Sequence, residues 1–190
     1  MQAADRAFYL MGPSGSGKDT LIQQLQTQLG AAMSVPPRYI DRPYLSGQLE
    51  QHYALSPAVF SEFQDKDCFS LAWAANGHRY GYDRQWLADV AAGKIVLLNG
   101  SRAHWPQAQQ HYRERLVPIA LALPQAVQKS RLQQRGREGE EAIAARLARS
   151  AALGHAEVAP ESVLNAAQPV ADVLADCLRL IQQHRALPCL

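Results

Sequence analysis

Apolar residues fall into two rhythms along this chain. Three short runs, Ala7-Phe8-Tyr9-Leu10-Met11, Ile95-Val96-Leu97-Leu98 and residues 116–123, read as strands, and the continuous apolar Ile95-Val96-Leu97-Leu98 suits one buried on both faces. Other apolar positions recur every three or four residues. Leu21, Ile22, Leu25 and Leu29 follow the first run, and Val170, Val173, Leu174, Leu178 and Ile181 mark one face of a closing helix over 169–184. Two further helical stretches, 124–135 and 140–153, flank the charged Gly136-Arg137-Glu138-Gly139, and Ser162-Val163-Leu164 reads as a short last strand. Strands alternating with amphipathic helices predict an α/β fold around a parallel sheet.

Between about residues 38 and 82 the rhythm changes. Arg38-Tyr39-Ile40-Asp41 reads as a strand and 43–52 as a polar loop. Ser56-Pro57 is a helix cap with proline in the first turn, opening a helix around Val59, Phe60 and Phe63. Residues 69–75, Asn76-Gly77 and His78-Arg79-Tyr80 form a predicted hairpin with a tight turn, and Asp83 caps the helix that follows. A small antiparallel insertion in an open α/β sheet is suited to shaping a substrate site.

The candidate chemistry begins directly after the first run, at Gly12-Pro13-Ser14-Gly15-Ser16-Gly17-Lys18-Asp19-Thr20. Glycines let the backbone curl until successive N–H groups converge on one anion, and the helix that follows adds its positive N-terminal end. Lys18 supplies a full charge for the β- and γ-phosphates of a bound triphosphate. The signature calls for Ser or Thr after the lysine as a hydroxyl ligand for Mg²⁺; Asp19 stands there and Thr20 comes one residue late. Asp19 therefore has two readings, a metal ligand acting directly or through water, or an acid favouring the first helical turn while phosphate and water hold the metal.

Composition narrows the function classes. The chain has 190 residues, 47% of them hydrophobic, which suits one globular domain. Its net charge of +2 is too small for a nucleic-acid surface. No apolar run reaches the roughly 18 residues of a membrane span. Met1-Gln2-Ala3-Ala4-Asp5-Arg6 holds no apolar leader, and the three cysteines, Cys68, Cys177 and Cys189, are odd in number and widely spaced. A reducing cytoplasm is the expected location. Only Lys18, Lys66, Lys94 and Lys129 are lysines; the other basic residues are arginines, whose forks suit phosphate. Arg131 and Arg135 share a helix face, Arg137 follows, and Arg146 and Arg149 lie on the next helix. Such a segment reads either as a solvated helix pair balanced by Glu138, Glu140 and Glu141, or as a helical lid carrying arginines over a nucleotide. The phosphate loop favours the lid.

Over nearly its whole length the chain resembles the guanylate-kinase-type nucleotide kinases. The resemblance rests on the phosphate loop, Gln51-His52-Tyr53-Ala54-Leu55-Ser56, Gly77-His78-Arg79-Tyr80-Gly81 and the arginine segment, all in that family's order. It implies an α/β, P-loop nucleotide-kinase-like three-layer fold with a central parallel sheet. One domain over 1–190 is implied, with a core at 1–37 and 83–190, a small antiparallel acceptor-binding insertion at about 38–82 and a helical lid at about 131–149. It also implies that Arg42, Tyr53 and Tyr80 grip the acceptor's phosphate. Leu45 stands where a second arginine belongs, and Leu71 where a carboxylate reads guanine, so GMP is not the expected acceptor.

Gly12-Pro13-Ser14-Gly15-Ser16-Gly17-Lys18-Asp19, Leu98-Asn99-Gly100-Ser101-Arg102-Ala103-His104 and Arg135-Gly136-Arg137-Glu138 together resemble the ribose 1,5-bisphosphate phosphokinases of bacterial phosphonate degradation. In that branch an acid after the lysine is usual. The resemblance implies ATP-dependent conversion of ribose 1,5-bisphosphate, a phosphorylated sugar, to 5-phosphoribosyl 1-diphosphate with Mg²⁺. Gly12 to Thr20 would then hold ATP, Asp19 the metal, and Lys18, Arg131, Arg135 and Arg146 the transferring group. Arg102 becomes a fork for the acceptor's phosphate or, alternatively, a structural ion pair. Asn165 falls on the adenine side or is an ordinary turn residue. His104 beside Arg102 could touch substrate or be structural. The rival classes are an ordinary nucleoside monophosphate kinase of guanylate type and a non-catalytic guanylate-kinase-like interaction module. A second copy of the chain, as a homodimer, is the macromolecular partner left open.

Overall fold

The computed structural model describes residues 6–43, 52–136, 139–154 and 157–185. Leu45, Gln51, Arg137, Glu138 and Cys189, named above, lie outside the described residues. The first apolar run is β1 (Ala7–Met11), the second β7 (Ile95–Asn99) and the third β8 (Leu116–Ala122). With β2 (Met33–Ser34) and β9 (Val163–Asn165) they form a five-stranded sheet in the order β2-β7-β1-β8-β9. All its pairings are parallel, with Leu10 beside Asn99 on one flank and Ile119 on the other. The chain leaves β1 toward one edge, returns to β7, then crosses to β8 and β9. The loop after β1 therefore opens where the strand order reverses, the crevice in which such sheets bind ligands.

Helices cover both faces. One side carries α1 (Lys18–Leu29) and α7 (Val170–His184), whose Leu21, Leu25, Val173 and Ile181 pack on Phe8, Leu10, Leu97 and Ile119. The other side carries α3 (Gln85–Ala91) and α4 (Trp105–Tyr112), with Trp86 and Trp105 buried among Tyr9, Val96 and Leu98. Tyr9, Leu98, Phe8 and Leu97 have no solvent exposure. This explains why β1 and β7 are apolar at every position rather than at alternate ones.

The insertion is a second sheet of β3 (Arg38–Ile40), β4 (His52–Ala54), β5 (Leu71–Ala75) and β6 (His78–Tyr82), in the order β4-β3-β6-β5. The predicted hairpin is present, turning at Asn76 and Gly77 with φ of 53° and 78°. Ser56 caps α2 (Pro57–Asp65) by accepting from the Val59 N–H at 3.2 Å. Asp83 accepts from the Gln85 N–H at 2.8 Å, ahead of α3. Two pairings depart from expectation. His52, placed above in a loop, begins β4, and β4 runs parallel to β3, so the insertion is mixed rather than wholly antiparallel. The two-residue β2 extends the main sheet. Both are edge strands too short to carry a periodic signal.

Trp73, Tyr80 and Tyr82 of the second sheet share a buried cluster with Tyr9 and Leu98 of the first, which fixes the insertion against the core. The helices α5 (Gln125–Arg135) and α6 (Glu140–Leu153) follow β8. No helix among the described residues is long and apolar enough to cross a membrane.

Candidate active site

The loop after β1 is shaped by two glycines in the left-handed region, Gly15 at φ 84° and Gly17 at φ 86°, conformations that side-chain-bearing residues resist. Ser16 N–H closes the turn on Pro13 O at 3.2 Å, and Leu21 N–H bonds Gly17 O at 2.9 Å to start α1. Lys18 folds back over this curl, Nζ donating to Gly12 O at 2.9 Å and Pro13 O at 3.2 Å. The ammonium is thereby held at the loop's mouth. Ser16 Oγ is buried and meets no hydrogen-bond partner among the described residues. A buried hydroxyl left over in a glycine-rich cradle suits an anion that arrives from outside.

Helix α5 seats on the loop. Gln128, almost fully buried, donates from Nε2 to Ser14 O at 3.0 Å, and Leu132 lies beneath Gly15. Arg131 and Arg135, on the same face, line a cavity of about 380 Å³ together with Gly15, Ser16, Gly17 and Thr20. From α6, Arg146 reaches the loop as well, Nη1 donating to Ser14 Oγ at 2.8 Å. The structure thus brings together the loop, Lys18, Arg131, Arg135 and Arg146. Among the described residues, the cavity walls carry two guanidinium groups and no carboxylate, which fits a polyanion.

Asp19 stands half-exposed in the first turn of α1, outside that lining, while Thr20 contributes to it. Among the described residues no three His, Cys, Asp or Glu side chains gather as a metal site. A divalent cation entering with a triphosphate would therefore draw most of its ligands from phosphate and water, with the Asp19 carboxylate and Thr20 hydroxyl nearest the loop. These donors fit Mg²⁺, a hard cation that keeps its waters.

Asn165 does not join the loop cavity. Its Oδ1 accepts from Ala167 N–H at 3.0 Å in a local turn, and it lines a neighbouring cavity beside Pro124 and Gln125. Gln134 and Gln168 line the loop cavity instead, with Ala166 and Val170 as apolar wall. Neither glutamine stands out in the sequence; only adjacency to Arg135 and to the Pro169 that opens α7 marks them.

The two tyrosines expected on the acceptor side are separated. Tyr53 pairs with Tyr39, their rings 4.9 Å apart, on the face where Phe63 and Phe69 pack. Tyr80 pairs with Ile40, the next residue along β3, and so points to the opposite face, toward the core. The structure therefore does not bring Tyr53 and Tyr80 together on one face of the second sheet, since strand alternation puts successive residues on opposite sides. Tyr80 stacks on Trp73 at 5.5 Å, and Trp73 stacks on His104 at 5.0 Å. Arg38 completes the column, its guanidinium 5.0 Å from the Tyr80 ring centre and donating to Asn99 O at 3.1 Å. Arg42 lies just beyond β3. Leu71 is buried in the same core cluster, so an apolar side chain does occupy that position.

His104 is held by Tyr9, hydroxyl to Nδ1 at 2.9 Å, while the same hydroxyl accepts from Ser101 N–H at 3.0 Å. Burial raises the Tyr9 pKa despite the Ser101 contact, so the phenol keeps its proton, and the His104 tautomer sets the direction of its bond to Nδ1. Burial pushes His104 down to about 4, leaving the imidazole neutral. Arg102 does not face the aromatic column through its fork. Nη1 donates to Gly154 O at 2.6 Å and to Ser150 O at 3.5 Å, and Nη2 donates to Ser150 Oγ at 3.1 Å. These partners are neutral oxygens at the end of α6. Burial and then the nearby charge of Arg149 lower its pKa.

Comparison with known proteins gives this geometry its kinship. No family model matches the chain. The guanylate kinase from Anaplasma phagocytophilum shares the fold, with a TM-score of 0.67 at 16% identity over 97% of this chain and 88% of that one. A ribose 1,5-bisphosphate phosphokinase PhnN from Dickeya zeae is 44% identical over 148 residues, 78% of either chain. The protein of the same name from Pantoea vagans is 36% identical over 185 residues, 95% of this chain and 99% of that one. With that identity sustained from end to end, the chain belongs to the ribose 1,5-bisphosphate phosphokinase family.

Proposed function

We propose that this chain transfers the γ-phosphoryl group of ATP to ribose 1,5-bisphosphate, giving ADP and 5-phospho-α-D-ribosyl 1-diphosphate. An oxygen of the acceptor's 1-phosphate attacks the γ-phosphorus as the bond from that phosphorus to the β,γ-bridging oxygen breaks. A phosphate acceptor is already ionised at neutral pH, so the residues need only position two polyanions and offset their charge. The loop amides and Lys18 hold the β- and γ-phosphates. Arg131, Arg135 and Arg146 cover the transferring group from α5 and α6, which act as a lid. Arg42 and Tyr80 take the acceptor on the core-facing side of the second sheet. Asp19 and Thr20 would hold Mg²⁺ beside the triphosphate, where the ion would supply charge neutralisation. The whole chain works as one kinase domain.

The observation that carries this reading is the convergence of Lys18, Arg131, Arg135 and Arg146 on one glycine-rich loop, in a chain with full-length kinship to phosphokinases of this name. The test is ADP release by the purified chain with ATP and Mg²⁺, offered ribose 1,5-bisphosphate, ribose 5-phosphate, GMP or AMP in turn. Release is expected with ribose 1,5-bisphosphate and should fall about 10²- to 10³-fold in Lys18→Ala. Release with GMP alone would make the chain a guanylate-type kinase. Failure to bind ATP in calorimetry would leave the non-catalytic interaction module.

A further inference from the structure

Arg102 sits in the loop after β7, at the carboxyl end of the main sheet, where an arginine fork invites assignment to a substrate phosphate. Its hydrogen bonds point elsewhere. Both Nη groups are directed at the last turn of α6, to Ser150 O, Ser150 Oγ and Gly154 O. The final carbonyls of a helix have no intrahelical partner and carry the negative end of its dipole, so a cation there is favourable. Ser150 lies one turn beyond Arg146, on the same face of α6. Arg146 is in turn bonded to Ser14 of the phosphate loop at 2.8 Å. A single helix face is therefore anchored twice, to the core at Arg102 and to the loop at Ser14.

We infer that Arg102 is a positioning residue that anchors the carboxyl end of α6 and so sets where Arg146 meets the nucleotide, rather than a ligand of the acceptor. This rests on the phosphotransfer reading above. The anchor is not free of cost, because burial and the nearby Arg149 charge both disfavour the Arg102 cation.

The experiment compares wild type, Arg102→Gln, Arg146→Gln and the double variant, first by amide hydrogen exchange of α6 without ligands. Loss of the charged hydrogen bonds in Arg102→Gln should speed exchange of the last turn of α6 by about ten-fold or more. In turnover, kcat should fall about ten-fold while KM for ribose 1,5-bisphosphate stays within about two-fold, and the double variant should be little worse than Arg146→Gln alone. Unchanged α6 exchange overturns the inference. So does a large rise in acceptor KM at unaltered kcat, which marks a direct ligand. Should no acceptor on the panel be turned over, the phosphotransfer reading fails while the exchange arm still decides the anchor. If Arg102→Gln does not fold, Ser150→Ala removes the Nη2 acceptor alone and should speed exchange about three-fold; exchange identical to wild type overturns the inference.

Discussion

Gly100 shows how a single residue is dictated by its surroundings. A Cβ added there would lie 2.1 Å from Cζ of Tyr9, inside the ring. Tyr9 cannot give way, because it is fully buried in the central strand and its hydroxyl bridges Ser101 N–H and His104. Gly100→Ala should therefore destabilise the protein by about 3 kcal/mol, as overpacking in a close-packed core does. In calorimetry this appears as a fall in Tm of about 10 °C; a Tm within about 2 °C of wild type would show that the ring can move aside. The same pattern of crossing contacts explains what could and could not be read from the chain at this scale. Lys18 was legible because its loop is a local object, in which glycine spacing alone sets the geometry. Arg102 was visible as a cation near a strand end, but its partners on α6 are 48 and 52 residues away, and no local pattern encodes their direction.

The elements themselves follow from periodicity wherever the period is long enough to register. Helix α6 occupies Glu140–Leu153, the span expected from its pattern, and β7 runs one residue beyond its apolar run, to Asn99. The edge strands β2 and β4, of two and three residues, escaped because alternation needs more positions to declare itself. That omission had a consequence, since without the β4 register Tyr53 and Tyr80 look equivalent. The parallel pairing of Tyr53 with Tyr39, and of Tyr80 with the adjacent Ile40, puts them on opposite faces. Their kinetic roles should separate accordingly. Tyr80→Phe is expected to raise KM for the acceptor about ten-fold or more, the loss of one hydrogen bond to a charged group. Tyr53→Phe, whose ring is 52% exposed beside Tyr39, should leave both kcat and KM within about two-fold. Equal effects from the two variants would mean that both hydroxyls reach the same phosphate after all.

At the scale of the whole molecule, the two sheets meet through one column of stacked groups, and its titratable member makes that junction sensitive to acid. His104 stacks on Trp73 of the second sheet and bonds Tyr9 in the middle of the first. Its pKa of about 4, against an ordinary 6.5, means that between those values the unfolded chain takes up a proton the folded chain refuses. Stability then rises with pH through that window and is lost as pH falls from about 6.5 toward about 4, with no contribution from this group above neutrality. The full span corresponds to about 3 kcal/mol. His184 adds to the same window with the same sign, since burial and then the Arg6 charge lower its pKa as well, whereas Asp41 and Asp89 fall below it. Burial raises both pKa values, but this is outweighed at Asp41 by Arg79 and at Asp89 by Ser34 and Lys94, so both titrate below 3.8. Unfolding free energies from denaturant titrations at pH 7 and pH 4.5 should accordingly differ by about 2–3 kcal/mol more in wild type than in His104→Gln, which stays neutral at this position. The His104–Tyr9 contact that protonation alters is one of those that join the second sheet to the strand leading into the phosphate loop. An equal pH slope in wild type and His104→Gln would move the acid sensitivity away from this junction.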